Sequence, residues 1–197
     1  MDFTKFDSVK LFLNIFLGVA LVEEFSKWVF VYVLSFDEKN FDQFYDMIVY
    51  AAFVALGFAC IENILYVFEN GLFVALIRAL LAVPGHACDG VFMGYYLSFA
   101  KMSSVRGDSK GKFRNLFLSL FFPVCLHGFY DYCLFSQSLC LKLVFFIFVI
   151  ILYIITFRKI RKTSKQSLKI VFHNKFCPNC GTRVQSNFCP ICGRKNE

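Results

Sequence analysis

The chain has 197 residues, 58% of them hydrophobic and 19% aromatic, with a mean hydropathy of +0.60. Soluble domains carry only ~45–50% apolar residues and cover themselves with more charge, so that class is excluded. The formal net charge of +7 is concentrated in two runs, Lys101 to Arg114 and Arg158 to Lys169. Beside apolar helices, such runs mark the cytoplasmic loops of a membrane protein rather than a nucleic-acid surface.

Five apolar stretches, at 9–36, 44–69, 72–100, 114–136 and 139–157, reach the ~17–25 residues that span a bilayer as helix. They are continuous rather than alternating, which argues against a β-barrel. The first has one early Lys5 but no small-x-small cleavage site, and it reads as a retained membrane helix rather than a signal peptide. Asp37-Glu38-Lys39-Asn40 separates the first stretch from the second, and Asn70-Gly71 is turn chemistry between the second and third. A polar loop is expected over Ser103 to Gly111, and Ser136-Gln137-Ser138 closes the next connection. Pro84 and Pro123 fall inside the third and fourth helices, and a break is expected at Pro84-Gly85. The fold class is an all-α polytopic membrane protein, a bundle of about five transmembrane helices with a small metal module at its C-terminus. Residues 1–157 form the membrane domain, 158–172 a basic juxtamembrane linker and 173–197 the metal module. The two basic runs place the C-terminus in the cytoplasm and the N-terminus outside.

Ionisable residues interrupt these helices, although each costs about 2.5–3.5 kcal/mol at the centre of a membrane helix. Glu23 and Lys27 share a face at i,i+4, with Glu24 and Lys27 at i,i+3, so Lys27 neutralises one glutamate and leaves the other for a different task. Glu62-Asn63 lies on the second helix. Arg78 stands about two turns before His86 on the third. His127 and Asp131 share a face of the fourth. Taken singly, an ion pair, a packing histidine or an interhelical asparagine is structural. Their occurrence together on four helices indicates a shared polar cavity with chemistry in it.

Of nine cysteines, Cys177, Cys180, Cys189 and Cys192 form two Cys-Pro-x-Cys-Gly knuckles. Four thiolates at this spacing make a closed tetrahedral site for Zn²⁺, with iron as the alternative metal, and no position remains for water. So short a segment has no adequate core, so metal binding is its folding energy. Such a zinc ribbon requires a reducing compartment and could dock a cytoplasmic protein partner.

The ordered motifs Glu23-Glu24-x-x-Lys27, Phe58-x-x-x-Glu62-Asn63, Arg78 to Gly85 leading into His86-x-x-x-Gly90, and His127-x-x-x-Asp131 resemble the PrsW family of intramembrane proteases. That family is related to the CAAX prenyl endopeptidase and bacteriocin-immunity group. The resemblance runs from about residue 15 to 135. It implies a multi-pass protein of the bacterial cytoplasmic membrane that cleaves a membrane-anchored substrate, of which an anti-sigma factor is the founding example. It implies catalytic roles for Glu23, Glu24, Glu62, His86, His127 and Asp131, supported by Lys27, Asn63 and Arg78. Two mechanisms stay open. In one, Glu23 or Glu24 is the general base, while His127, oriented by Asp131, stabilises the oxyanion. In the other, His86, His127 and a carboxylate hold a second, catalytic Zn²⁺. The absence of a His-Glu-x-x-His helix favours the first. Two other classes compete: a transporter, for which no inverted halves are visible, and an inactive membrane scaffold that recruits a partner through its ribbon.

Overall fold

The structure is a computed structural model that describes residues 8–38 and 43–165 and, in the tail, 175–176, 179–180, 183–184 and 191–192. The chain is helical without interruption from Ser8 to Ser35, as α1 (Ser8–Leu13), a π-helical segment (Asn14–Ala20) and α2 (Leu21–Ser35). Four further helices follow: α3 (Phe44–Asn70), α4 (Leu72–Val105), α5 (Ser109–Phe135) and α6 (Leu139–Lys165). Each of these four is long and apolar enough to cross a membrane. The protein is a polytopic all-α membrane protein. In the tail, β1 (Lys175–Phe176) pairs antiparallel with β2 (Arg183–Val184).

The α3–α4 hairpin is the spine of the bundle. Its turn is Gly71, at φ 82°, whose N–H closes the end of α3 on the Val67 carbonyl at 2.9 Å. Only glycine adopts that φ without a Cβ penalty. Further along α4, Gly90 and Gly94 lie one turn apart against the α3 backbone. A Cβ on Gly90 would stand 2.7 Å from the Ala51 carbonyl oxygen and 2.8 Å from the Ala55 Cβ. Helices in lipid gain no hydrophobic drive from meeting each other, so close backbone approach through small residues supplies the packing energy. The main core forms around this seam from Met47, Ala51, Met93, Leu97 and Ala100, with Val31 and Phe36 contributed by the first helix and its end.

Polar ties fix the remaining helices. The Trp28 indole of α2 donates to Ser119 of α5 at 2.7 Å, and Ser98 of α4 donates to the Phe44 carbonyl at 2.6 Å. Lys101 at the end of α4 donates to the Glu38 carbonyl at 2.7 Å, in the connection after α2. Ile160 of α6 packs beside Phe44 and Val91. Residues 36–38 after α2, the start of α3, the α4–α5 turn and the basic end of α6 therefore lie at one end of the bundle. The Gly71 and Ser136–Ser138 turns lie at the other. Outward, Phe53, Phe68, Phe73, Leu80 and Phe157 are more than two-thirds exposed, a surface that only lipid makes inexpensive.

Several boundaries differ from the sequence reading. No break occurs at Pro84-Gly85, since α4 runs through it. The turn preceding Pro84 is tied instead by the Tyr153 hydroxyl of α6, which donates to the Leu81 carbonyl at 3.0 Å. The polar loop expected over Ser103 to Gly111 shrinks to Arg106–Asp108, because Asp108 caps α5 by accepting from the Gly111 N–H at 2.9 Å. The last helix continues past Phe157 to Lys165. Lys and Arg are good helix formers and suit a helix C-terminus electrostatically, so the basic run prolongs the rod.

Candidate active site

The cavity lies between the π-helical segment, α2, α3, α4 and α5, and encloses about 290 Å³. Glu23, Glu62, Arg78, His86, His127 and Asp131 all line it, beside apolar residues such as Ile15, Val19 and Leu126. Six of the nine residues singled out on four helices thus converge on one space. The π-helical turn belongs to its wall, and such turns occur frequently at functional sites.

The two glutamates of α2 have separate surroundings. Glu24 is fully buried; its Oε1 accepts from Lys27 Nζ at 2.6 Å and pairs with His127 Nδ1 at 2.8 Å. Glu23 faces the cavity, 3.7 Å from Lys27 Nζ and 3.9 Å from His127 Nε2. Lys27 therefore neutralises Glu24, and Glu23 is the freer carboxylate. His127 is oriented chiefly from α2, by Glu24, while Asp131 stands at 3.4 Å from its other ring nitrogen.

On the opposite wall, His86 bridges two helices. Its Nε2 meets Glu62 Oε2 at 2.9 Å and its Nδ1 meets Lys27 Nζ at 3.0 Å. The two histidine rings stand 5.2 Å apart, nearly perpendicular. Arg78 holds the other Glu62 oxygen at 2.7 Å and stacks on the Tyr66 ring at 3.7 Å. Phe58 lies under the Lys27 ammonium at 4.5 Å, a cation–π contact that explains its place one turn before Glu62. Asn63 stands apart: its side-chain amide donates to the Ala75 carbonyl at 3.3 Å and braces the hairpin.

Asp89 was missed by sequence reasoning. It is 4% exposed, lines the cavity and has one carboxylate oxygen without a hydrogen-bond partner. The signal was available, since Asp89 follows His86 by three residues and shares its face. Glu24, His86, Asp89 and His127 present ligand atoms all within 4.8 Å of one another, as do Glu23, Glu62 and His86. Five carboxylates (Glu23, Glu24, Glu62, Asp89 and Asp131) face two permanent cations, Lys27 and Arg78. Buried oxygens of Glu23, Glu24 and Asp89 have no hydrogen-bond partner. Unpaired buried carboxylate oxygens are costly, so this donor set suits a divalent cation.

Of the ribbon cysteines, Cys177 and Cys189 lie outside the described residues. The Sγ atoms of Cys180 and Cys192 stand 3.6 Å apart.

A helical membrane bundle that gathers opposed carboxylates and histidines around such a cavity has the constitution of an intramembrane hydrolase. Among sequence families, the PrsW family of intramembrane metalloproteases matches residues 3–156. Protease PrsW of Oceanobacillus iheyensis is 38% identical over 166 residues, 84% of this chain and 74% of that protein. Protease PrsW of Bacillus subtilis is 44% identical over 123 residues, 62% of this chain and 55% of that protein. Protease PrsW of Clostridioides difficile is 32% identical over 179 residues, 88% of this chain and 74% of that protein. The chain belongs to the PrsW family of intramembrane proteases. No solved structure matches it.

Proposed function

We propose that the cavity hydrolyses a peptide bond in or near the membrane segment of a membrane-anchored regulatory protein, of which an anti-sigma factor is the type. The observation that carries this reading is the convergence of Glu23, Glu62, His86, His127 and Asp131 on one cavity, with Glu24 beneath it. Amide hydrolysis needs a base for water, a stabiliser for the oxyanion and an acid for the leaving amine. Glu23 is the base: it lines the cavity and one of its oxygens lacks a hydrogen-bond partner. Glu24, committed to Lys27 and His127, is the anchor that orients His127. The two histidines meet edge to face on the cavity wall, and each has a carboxylate that fixes its ring.

For a metalloprotease of this family, Glu24, Asp89 and His127 would hold the ion, which when bound polarises a carbonyl and acidifies its water. Arg78 orients Glu62, and Tyr66 holds the guanidinium flat against the wall.

The site is not central in the bilayer. His127 and Glu62 each lie about 12 Å, at ~1.5 Å per residue, from the end bearing the Gly71 and Ser136–Ser138 turns. With the basic loops and the C-terminus in the cytoplasm, the cut falls toward the outer boundary of the substrate's membrane segment. The tail is a zinc ribbon on the cytoplasmic side: the 3.6 Å separation of two of its sulfurs is close to the ~3.8 Å edge of a tetrahedron with Zn–S of ~2.3 Å. Its role is to recruit a cytoplasmic protein.

The test is cleavage of single-pass reporter substrates in membranes by wild type and by Glu23→Ala, Glu24→Ala and His127→Ala. Each variant is expected to lose roughly 10²–10⁴-fold in rate. Unchanged cleavage in all three refutes the mechanism.

A further inference from the structure

Among the described residues, His86 is the one that belongs to both groups of potential metal donors, and its two ring nitrogens have different partners. Nδ1 points inward to Lys27 Nζ at 3.0 Å, and Nε2 points to Glu62 Oε2 at 2.9 Å. A lysine ammonium has three N–H donors and no acceptor. Lys27 is held in that form by Glu24 at 2.6 Å, with Glu23 at 3.7 Å and the Phe58 ring at 4.5 Å. Facing such a donor, Nδ1 must present its lone pair. The ring proton of the neutral imidazole then sits on Nε2, where the Glu62 carboxylate accepts it. The tautomer of a histidine is set by the hydrogen bond its other nitrogen makes, and both bonds here require the same assignment.

We propose that Lys27 is a positioning residue that fixes His86 as the Nε2–H tautomer, its ammonium occupying the Nδ1 lone pair so that the free face of His86 offers the cavity a hydrogen-bond donor. The proposal deepens the protease reading by giving His86 one role: its N–H, held by Glu62 at rest, is the donor available to a developing oxyanion. It also separates the two histidines. His127, whose Nδ1 faces Glu24 and whose Nε2 faces Asp131 and Glu23, keeps the role in which a ligand nitrogen is useful. A metal ligand on His86 Nε2 would need a protonated Nδ1 pointing at an ammonium, donor against donor. By holding the Nδ1 lone pair and keeping the proton on Nε2, Lys27 blocks metal binding at either ring nitrogen of His86 and leaves Glu24, Asp89 and His127 as the donors.

The chain contains three histidines, which makes the tautomer directly readable. Full-length protein labelled with ¹⁵N-histidine in detergent micelles gives three pairs of ring resonances, with His86 assigned by its loss in His86→Gln. The expected result is an unprotonated Nδ1 and a protonated Nε2 for His86, unchanged on addition of Zn²⁺. A hydrogen bond from a charged donor biases the two tautomers by more than about tenfold. In a Glu62→Gln background, whose amide can serve either tautomer, Lys27→Met should abolish that bias, and the charge-balanced Glu24→Gln/Lys27→Met pair should abolish it too, should burial of an unpaired Glu24 prevent Lys27→Met from folding. Lys27→Arg, another permanent donor, should restore it. A protonated Nδ1 in the wild type, a Zn²⁺-induced shift at His86 Nε2, or an unaltered signature in the charge-balanced variant overturns the proposal. The readout needs no substrate, so it stands or falls separately from the proteolytic reading.

Discussion

The contact between Gly94 and α3 lets a small change be carried into the site by calculation. A Cβ at position 94 would lie 2.6 Å from the Ile48 Cα, with the Met47 carbonyl oxygen closer still, where ordinary contact begins near 3.4 Å. Both neighbours are backbone, so no side chain can rotate away and the two helices must separate by about 1 Å. Overpacking of this kind costs about 1–3 kcal/mol. His86 and Glu62 ride on the two helices that would part, and their contact of 2.9 Å cannot absorb such a shift. A misplacement of about 1 Å costs on the order of 100-fold in rate. Gly94→Ala should therefore lower reporter cleavage by roughly that factor and lower thermal stability in detergent. Gly57→Ala is the control: nothing lies within 4 Å of its Cβ position, and alanine gains about 1 kcal/mol of helix propensity over glycine. Equal cleavage and equal stability of Gly94→Ala and Gly57→Ala would refute the packing argument.

Glu24→Ala should destabilise the protein by about 3–5 kcal/mol, because it strands the buried Lys27, whereas Glu23→Gln should keep the melting temperature and lose cleavage; thermal scans paired with reporter assays separate the two. Arg78→Met should raise the apparent KM and slow cleavage through loss of Glu62 orientation, without moving the melting temperature by more than a few degrees. Metal analysis of a variant with Cys177, Cys180, Cys189 and Cys192 all changed to serine should show one zinc equivalent lost and reporter cleavage retained. A second equivalent remaining in that variant should depend on Asp89, and Asp89→Asn should release it.

Much of the site was legible because helical periodicity is simple. Glu24 with Lys27, and His127 with Asp131, follow from spacing, and the cost of charge at membrane depth demands that such pairs meet. What spacing could not reveal is which partner lies across the bundle. His127 was read as oriented by Asp131, yet its shorter contact is with Glu24, 103 residues earlier. Asp89 was hidden inside a motif as an unremarked position, and only the fold shows that it shares the cavity with His86. Pro84 misled in the other direction, because a neighbouring tyrosine on α6 supports the turn before it and the helix carries on. The helix ends at Val105 and Ser109 were misjudged because polarity was read as loop, whereas Lys, Arg and a capping Asp favour helix as much as solvent.

The placement of Glu23, Glu24 and Lys27 in the first helix also constrains how the protein is made. Three such residues cost the emerging segment roughly 7–10 kcal/mol if it enters lipid alone, and among the described residues the helices that qualify as spans on their own begin at Phe44. His127 is synthesised 103 residues after Glu24, several seconds later at about 5–20 residues per second. Through that interval the first segment must wait at the membrane surface or within the insertion machinery, until α4 and α5 bring the side chains that make its charges tolerable. Assembly of the polar cavity is thus the event that completes membrane integration, and a variant unable to form it should be recognised as an insertion failure before it is scored as an inactive enzyme.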